Sequence, residues 1–413
     1  MKQLIQEHLE YLENKEVFQR EFYNTQLNDL VRTNNITVIE WQRRVGKSSL
    51  IVSYVKSNNI DLNNVFYINK EIDVLENISN SQDLQKAFDS FKENYQDPEY
   101  IIIDEVQDIE EWEKFIRKYH AYQKYKIIIT WSNSSLLSGE LSTYLTWRYV
   151  SLHIYPFSYK EFVEFNWYDK WEDSFYEYLE FGGMPEILRI DDKETRKNYL
   201  KNLVSDIVLK DVVARHNIRD IKLLEKLLGF LSDNLGSLVS VSNISNYTKN
   251  HFKKEYSLKT IANYLKYLEF AYIVNEIPRY DIKWKKKLEY IGKYYFSDIW
   301  IRNSFWFVFV NDIWKILENV VYLKLKQDGY EVFVWENNKY EVDFIAEKWG
   351  EKIYIQVCYM LWKQETVERE FGNLLNIKDN YKKIVLSLDK TFWNSFQWIE
   401  NINIIDWLYG WDW

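Results

Sequence analysis

The residues best equipped for chemistry begin at position 41. The run Trp41-Gln42-Arg43-Arg44-Val45-Gly46-Lys47-Ser48-Ser49 stands between a short apolar segment, Asn35 to Glu40, and an amphipathic one, Leu50 to Ser57. Its spacing matches the phosphate-binding loop, G-x-x-x-x-G-K-[ST], at every required position except the first, where Trp41 stands for glycine. Such a loop needs a strand before it and a helix after it, because N–H groups of the loop and helix start converge on phosphate oxygens. Both flanks are expected here. Trp41 to Ser49 then form the nucleotide cradle, with Lys47 reaching the β and γ phosphates and Ser48 ligating Mg2+. ATP and Mg2+ are the expected ligand and cofactor. A Cβ and an indole at position 41 are expected to crowd the turn into the cradle.

A second apolar run, Glu99 to Ile103, ends in two acids, Asp104 and Glu105. Asp104 is placed to hold Mg2+ through water and Glu105 to polarise the attacking water. A third run, Tyr125 to Thr130, ends at Trp131-Ser132-Asn133-Ser134. Asn133 or Ser132 at that tip reads as a γ-phosphate sensor, with simple helix capping as the other reading. Arg148, after Leu145-Thr146-Trp147, reads either as an arginine finger on the transferred phosphate or as half of a surface ion pair.

With 413 residues, 46% hydrophobic and 28% charged, the chain can bury sizeable cores, which excludes a mainly disordered protein. One cysteine, Cys358, excludes an intramolecular disulfide and a thiolate zinc cluster, and the five histidines lack metal-ligand spacing. Met1 to Arg20 is charged throughout, and no uncharged apolar run reaches about 18 residues, so a cytoplasmic protein without a membrane helix is expected. The net charge of −9 argues against bulk nucleic-acid binding but leaves room for a local basic patch. Nothing in the composition sets an oligomeric state.

Glycine is scarce. A usual share of about 7% would give roughly 29 residues, whereas the chain has 11 glycines and 18 tryptophans. Low proline with abundant Asn, Lys, Ile and Tyr fits an AT-rich gene, a bias that depletes Trp, whose usual codon is UGG. Several Trp stand where turn chemistry wants glycine: Trp335 before Glu336, Trp284 among lysines, and Trp167 and Trp171 around Tyr168-Asp169-Lys170. Some bacteria read UGA as Gly and others as Trp, so the wrong codon table would write Trp for Gly. Trp112, in an expected helix, reads as an ordinary packing residue.

Four parts are expected. Residues 1–155 begin with helix and then alternate strand and helix, which predicts a P-loop domain with a parallel sheet. Residues 156–220 read as a helical lid or connector. Residues 221–295 suggest a winged helix-turn-helix, with helices over Leu223–Leu231, Ser242–Lys249 and Ser257–Phe270. The tip of its hairpin, Lys283-Trp284-Lys285-Lys286-Lys287, reads as a DNA-phosphate contact or as a solvated loop. Residues 296–413 read as a second α/β unit with strands over Tyr330–Trp335, Tyr340–Glu347 and Lys352–Tyr359. There Asp343 and then Gln356-Val357-Cys358 follow the outline of a D…(D/E)-x-K nuclease site, which needs two acids and a lysine. Gln356 replaces the acid and Cys358 the lysine, so an inactive domain is expected even with Glu318 as a further ligand.

These residues resemble the prokaryotic AAA-type ATPases that carry a DUF4143 C-terminal region. The resemblance rests on Arg43 to Ser48, Asp104-Glu105-Val106-Gln107 and Thr130 to Asn133. It continues through Tyr155 to Phe162, Gly182-Gly183-Met184-Pro185-Glu186, Asp298-Ile299-Trp300, Leu317-Glu318-Asn319 and Glu341-Val342-Asp343-Phe344. It spans nearly the whole chain. It implies an ATP-binding domain, a C-terminal part similar to restriction-endonuclease folds, and glycine at positions 41, 131, 147 and 300. The expected protein is an ATPase that uses Mg-ATP to drive a conformational switch, with the later parts as output or docking modules toward a protein partner or DNA. The alternative is a DNA-binding regulator in which nucleotide is only a structural switch.

Overall fold

The computed structural model describes residues 1–73, 77–132, 145, 148–168, 172–281, 286–305, 312–336, 340–389 and 395–410. Asn133, Trp147, Trp171, Lys283, Trp284 and Lys285 lie outside the described residues. The chain divides into two compact units, Met1–Ile154 and Tyr155–Trp413.

The first unit opens with helices α1 (Lys2–Asn14) and α2 (Glu21–Val31). It then alternates: β1 (Ile36–Glu40), α3 (Lys47–Ser57), β2 (Val65–Asn69), α4 (Ser81–Asn94), β3 (Tyr100–Asp104), α5 (Trp112–Ala121), β4 (Lys126–Trp131) and β5 (Tyr149–His153). The strands stand in the order β2-β3-β4-β1-β5, and every pairing is parallel. Strands covered by helices on both faces read as unbroken apolar runs. Accordingly β1, β2 and β3 are buried at every position. Burying each Ile or Val of these runs contributes about 1.5–3 kcal/mol. Helix α4 shows how the sheet is covered. Asn80 caps its first turn, and Leu84, Ala87, Phe88 and Phe91 form one buried stripe. Phe88 packs edge-on to Phe66 of β2 at 5.1 Å. Because the strands are parallel, the loops after β1, β3 and β4 all leave from one edge, where open α/β sheets place their ligands.

The second unit starts with α6 (Tyr159–Asn166), α7 (Glu172–Phe181) and α8 (Lys193–Ile207), the last running on as a π-helical stretch, Val208–Ala214. Helices α9 (Ile221–Asp233), α10 (Val241–Phe252) and α11 (Leu258–Phe270) follow. A nine-stranded sheet then runs in the order β13-β14-β12-β11-β10-β9-β7-β8-β6. Its members are β6 (Leu238–Val239), β7 (Val274–Asp281), β8 (Lys286–Phe296), β9 (Glu331–Glu336), β10 (Glu341–Lys348), β11 (Glu351–Val357), β12 (Lys382–Ser387), β13 (Ser395–Phe396) and β14 (Ile399–Asn403). Helices α12 (Ile299–Phe305), α13 (Ile313–Gln327), α14 (Gln364–Leu375) and α15 (Ile404–Tyr409) complete the unit. The sheet crosses position 295, the expected boundary, because β7 pairs in parallel with β9 through Arg279 and Val334. Two of the motifs noted in the sequence meet here. The Gly183 N–H donates to both oxygens of Asp298, at 3.2 and 3.0 Å, and a Cβ on Gly183 would lie 2.1 Å from the Phe157 carbonyl oxygen.

Candidate nucleotide site

After Glu40 the chain turns through Arg44 (φ 64°) and Gly46 (φ 104°) into α3. Glycine serves at position 46 because it takes this left-handed conformation without a Cβ clash. Lys47 is the first helical residue and is buried. Its ammonium accepts no proton and donates three, and three oxygens surround it: the carbonyls of Trp41 at 3.2 Å and Gln42 at 3.1 Å, and Glu105 Oε1 at 3.1 Å. Strand β3 delivers Asp104 and, one residue beyond, Glu105 in the left-handed region at φ 57°. Thr130 of β4 ties the two acids together. Its hydroxyl donates to Asp104 Oδ1 at 2.5 Å and accepts the Glu105 N–H at 2.7 Å. Ser48 hydrogen-bonds Asp104 from the other side. The Gln107 amide donates to Glu105 and, at 3.2 Å, to the Ser132 hydroxyl.

The two adjacent acids are pushed apart electrostatically. Burial alone raises both. At Glu105 the Lys47 ammonium, the Arg43 guanidinium and hydrogen bonds from Gln107 and Lys47 outweigh burial and hold the carboxyl below its ordinary range. At Asp104 burial and the neighbouring Glu105 prevail over Thr130, Ser48 and Lys47 and hold it above. Ser48 and Asp104 thus stand side by side as hard oxygen donors, the kind Mg2+ takes.

A buried polar chain runs behind Asp104. The Tyr67 hydroxyl donates to Asp104 Oδ2 at 3.2 Å and accepts from the Asn69 amide at 3.0 Å. The Asn69 N–H donates to Nδ1 of His8 on α1 at 2.9 Å. Tyr11 of the same helix stacks on Tyr67 with ring centroids 6.2 Å apart. Burial pushes His8 down to about 4, against the pull of Asp73 and with the push of Lys70, so its ring is a neutral acceptor near pH 7.

The structure brings Lys47, Ser48, Asp104, Glu105 and the loop from Trp41 to Ser49 together. Ser132 joins them through Gln107, whereas Asn133 lies outside the described residues. Arg148 does not join them. Its carbonyl accepts from Ile36 at the start of β1, so it stands at the strand edge opposite the loop. Five residues of β5 at about 3.3 Å each separate the two edges, which corrects the arginine-finger reading within this chain. Trp41 is buried with its indole edge-on to His153 at 6.1 Å, and its backbone avoids the left-handed region. Sequence reading passed over Tyr67 and gave Gln107 and Thr130 no role beyond the resemblance. Thr130 had a visible signal, a polar residue at the end of an apolar strand. Tyr67 had none, since a tyrosine in a buried strand is ordinary.

A second charged cluster sits in the second unit. Lys293 of β8 is buried among Glu341 at 2.7 Å, Glu318 at 3.6 Å and Asp343 at 3.6 Å. Burial would lower the ammonium, but Glu318, Asp343 and Glu341 outweigh it and keep Lys293 charged. Burial and Glu318 push Asp343 well up. Gln356 and Cys358 are buried nearby in sequence, and burial raises the Cys358 thiol. Among the described residues no group of three or more His, Cys, Asp or Glu is arranged to hold a metal. Removing one partner of a buried ion pair costs about 3–5 kcal/mol. Lys293→Met is therefore expected to lower the unfolding free energy of the second unit by that order, read by urea titration.

Parallel order β2-β3-β4-β1-β5, the loop ending in Lys47 and the acids closing β3 define an AAA-type P-loop NTPase domain. Residues 33–163 match the AAA domain family, and residues 172–308 match a domain of unknown function, DUF8612, where DUF4143 was expected. The Walker-type ATPase Paby2304 of Pyrococcus abyssi shares the fold, with a TM-score of 0.52 at 16% identity over 71% of this chain and 97% of that one. A Haemophilus influenzae protein described as uncharacterized is 35% identical over 96% of this chain and 99% of its own length. The uncharacterized protein MJ1544 of Methanocaldococcus jannaschii is 34% identical over 82% of this chain and 77% of its own. The chain belongs to the family of these two proteins. Among the described residues no helix is long and apolar enough to cross a membrane.

Proposed function

We propose that the first unit binds Mg-ATP in the loop from Trp41 to Ser49 and hydrolyses it. The observation that carries this reading is the placement of Lys47 Nζ 3.1 Å from Glu105 Oε1, beside the pair formed by Ser48 and Asp104. The lysine donates to two loop carbonyls and pairs with one acid. Phosphate oxygens are stronger acceptors for an ammonium than those carbonyls. Their arrival draws Lys47 away and leaves the ionised Glu105 free to orient and deprotonate water. Ser48 and Asp104 would hold Mg2+, which supplies charge stabilisation at the phosphates. Binding of Mg-ATP followed by calorimetry, with phosphate release measured on the same sample, tests the reading. Neither binding nor release would sink it.

Tyr67 serves the reaction from behind by fixing the rotamer of Asp104. A hydrogen bond to a charged group is worth about 1.5–3 kcal/mol. Tyr67→Phe keeps the packing and removes the donor, so turnover should need roughly tenfold more Mg2+ for half-saturation, since about 1.4 kcal/mol is a factor of ten. An unchanged Mg2+ dependence would reduce Tyr67 to a packing residue.

The second unit is read as the output of this switch. Helices α9, α10 and α11 with β6, β8 and β7 favour a winged helix-turn-helix, and DNA contact through Lys283, Lys285, Lys286 and Lys287 is the second reading. It predicts duplex binding that weakens steeply with salt. The strands from residue 331 onward are read as nuclease-like and inactive, because Gln356 and Cys358 stand where the second acid and the lysine are needed.

A further inference from the structure

We infer that the working protein carries glycine, read from UGA codons, at positions 41, 167, 349 and 398. At three of these positions the backbone is left-handed, within turns that favour glycine. Trp167 follows the last residue of α6 with φ 54° and ψ 30°. The next N–H, of Tyr168, returns to the Val163 carbonyl at 3.0 Å, and the Trp167 N–H bonds the carbonyl of Glu164 at 3.4 Å. A helix closed this way takes glycine at the left-handed residue, since a side chain there meets its own backbone. Trp349 and Gly350 are the two residues between β10 and β11, with φ 52° and 86°. Lys348 and Glu351 pair directly across them. A two-residue hairpin with both residues left-handed is built from Asn-Gly, Asp-Gly or Gly-Gly. Gln397 and Trp398 are the same kind of turn between β13 and β14, with φ 45° and 64°, and Phe396 pairs with Ile399 across them. Here Trp398 occupies the second slot, which glycine dominates.

The three indoles add little where they stand. Trp167 is 94% exposed, Trp349 93% and Trp398 64%. Lys348 lies over the Trp349 ring and Lys383 over the Trp398 ring, at 4.6 and 5.0 Å. The contact of Lys348 with the exposed Trp349 ring offsets only part of the strain of a bulky left-handed residue, whereas Trp398, the least exposed of the three, packs on Lys383, whose side chain is buried. Trp112 and Trp407 provide the contrast: both are buried within helices, α5 and α15, where glycine would leave a void and weaken the helix. The misread letters are thus a subset defined by position. Position 41 joins that subset on the loop pattern and not on its φ, and for it the inference rests on the proposed nucleotide site.

The test has two arms. The gene is sequenced, and the protein isolated from its own source is digested and weighed by mass spectrometry. UGA codons and glycine-mass peptides at 167, 349 and 398 are expected, with UGG and true Trp at 112 and 407. UGG at 167, 349 and 398 overturns the inference. In the second arm the chain is made as written and then with Trp167→Gly, Trp349→Gly and Trp398→Gly. Each change should raise Tm by about 2–4 °C, while Trp112→Gly lowers it, and three unchanged or lowered midpoints overturn the backbone argument. Trp41→Gly should tighten Mg-ATP binding about tenfold by restoring glycine at the first position of the loop pattern. If the three turn positions prove to be glycine and Trp41→Gly leaves affinity unchanged, position 41 is struck from the set. If the corrected chain binds no nucleotide at all, the proposed function fails while the glycine assignment at the turns stands.

Discussion

Lys47→Met is expected to abolish measurable Mg-ATP binding at micromolar protein. The start of α3 brings the ammonium to the centre of the loop, and three oxygens already converge on it within 3.2 Å. A phosphate that takes their place gains charge-assisted bonds of about 1.5–3 kcal/mol each. Losing two of them weakens binding on the order of 10²–10⁴-fold. Methionine keeps the length of the side chain, which matters because Lys47 is buried. The same change strands the ionised Glu105, so a melt without nucleotide must accompany the titration. A folded variant that still binds Mg-ATP with unchanged affinity would remove Lys47 from the mechanism.

Glu105→Gln is the second large effect, and it separates binding from chemistry. The amide is nearly the same shape, can still accept from Gln107 and Lys47, and cannot take a proton from water. General-base catalysis contributes about 10²–10⁴-fold, so kcat should fall by that factor. Mg-ATP affinity should hold or tighten, because a neutral side chain competes less for Lys47. A fall in affinity with kcat intact would recast Glu105 as a counter-ion and leave the water without its base. Asp104→Asn should instead raise the Mg2+ needed for half-saturation, since Asp104 stands against Ser48 and Tyr67.

Much of the first unit was legible because its signals are local. β1, β3 and β4 are continuous apolar runs, and a strand buried on both faces announces itself that way. Lys47 and Ser48 follow from a pattern eight residues long that only a strand-to-helix turn around phosphate requires. The strand tip at Asp104-Glu105 was visible for the same reason. The second unit was legible as elements: the strands expected near residues 330–359 stand within a few residues of β9, β10 and β11. How they join was not visible, because the pairing of β7 with β9 spans more than fifty residues and one bridge.

The chain's own letters determined the loop, the two acids and an excess of Trp that composition alone marks as anomalous. Tertiary structure decided which groups meet Asp104. Tyr67 and Thr130 reach it from 37 and 26 residues away, through a parallel register that no spacing rule encodes. It also set Arg148 at the far edge of the sheet, and it gathered Glu318, Glu341 and Asp343 around Lys293. It placed Trp112 and Trp407 inside helices and Trp167, Trp349 and Trp398 at left-handed turns. A side chain's type is written in sequence, but its neighbours and its φ are fixed only when strands pair and turns close.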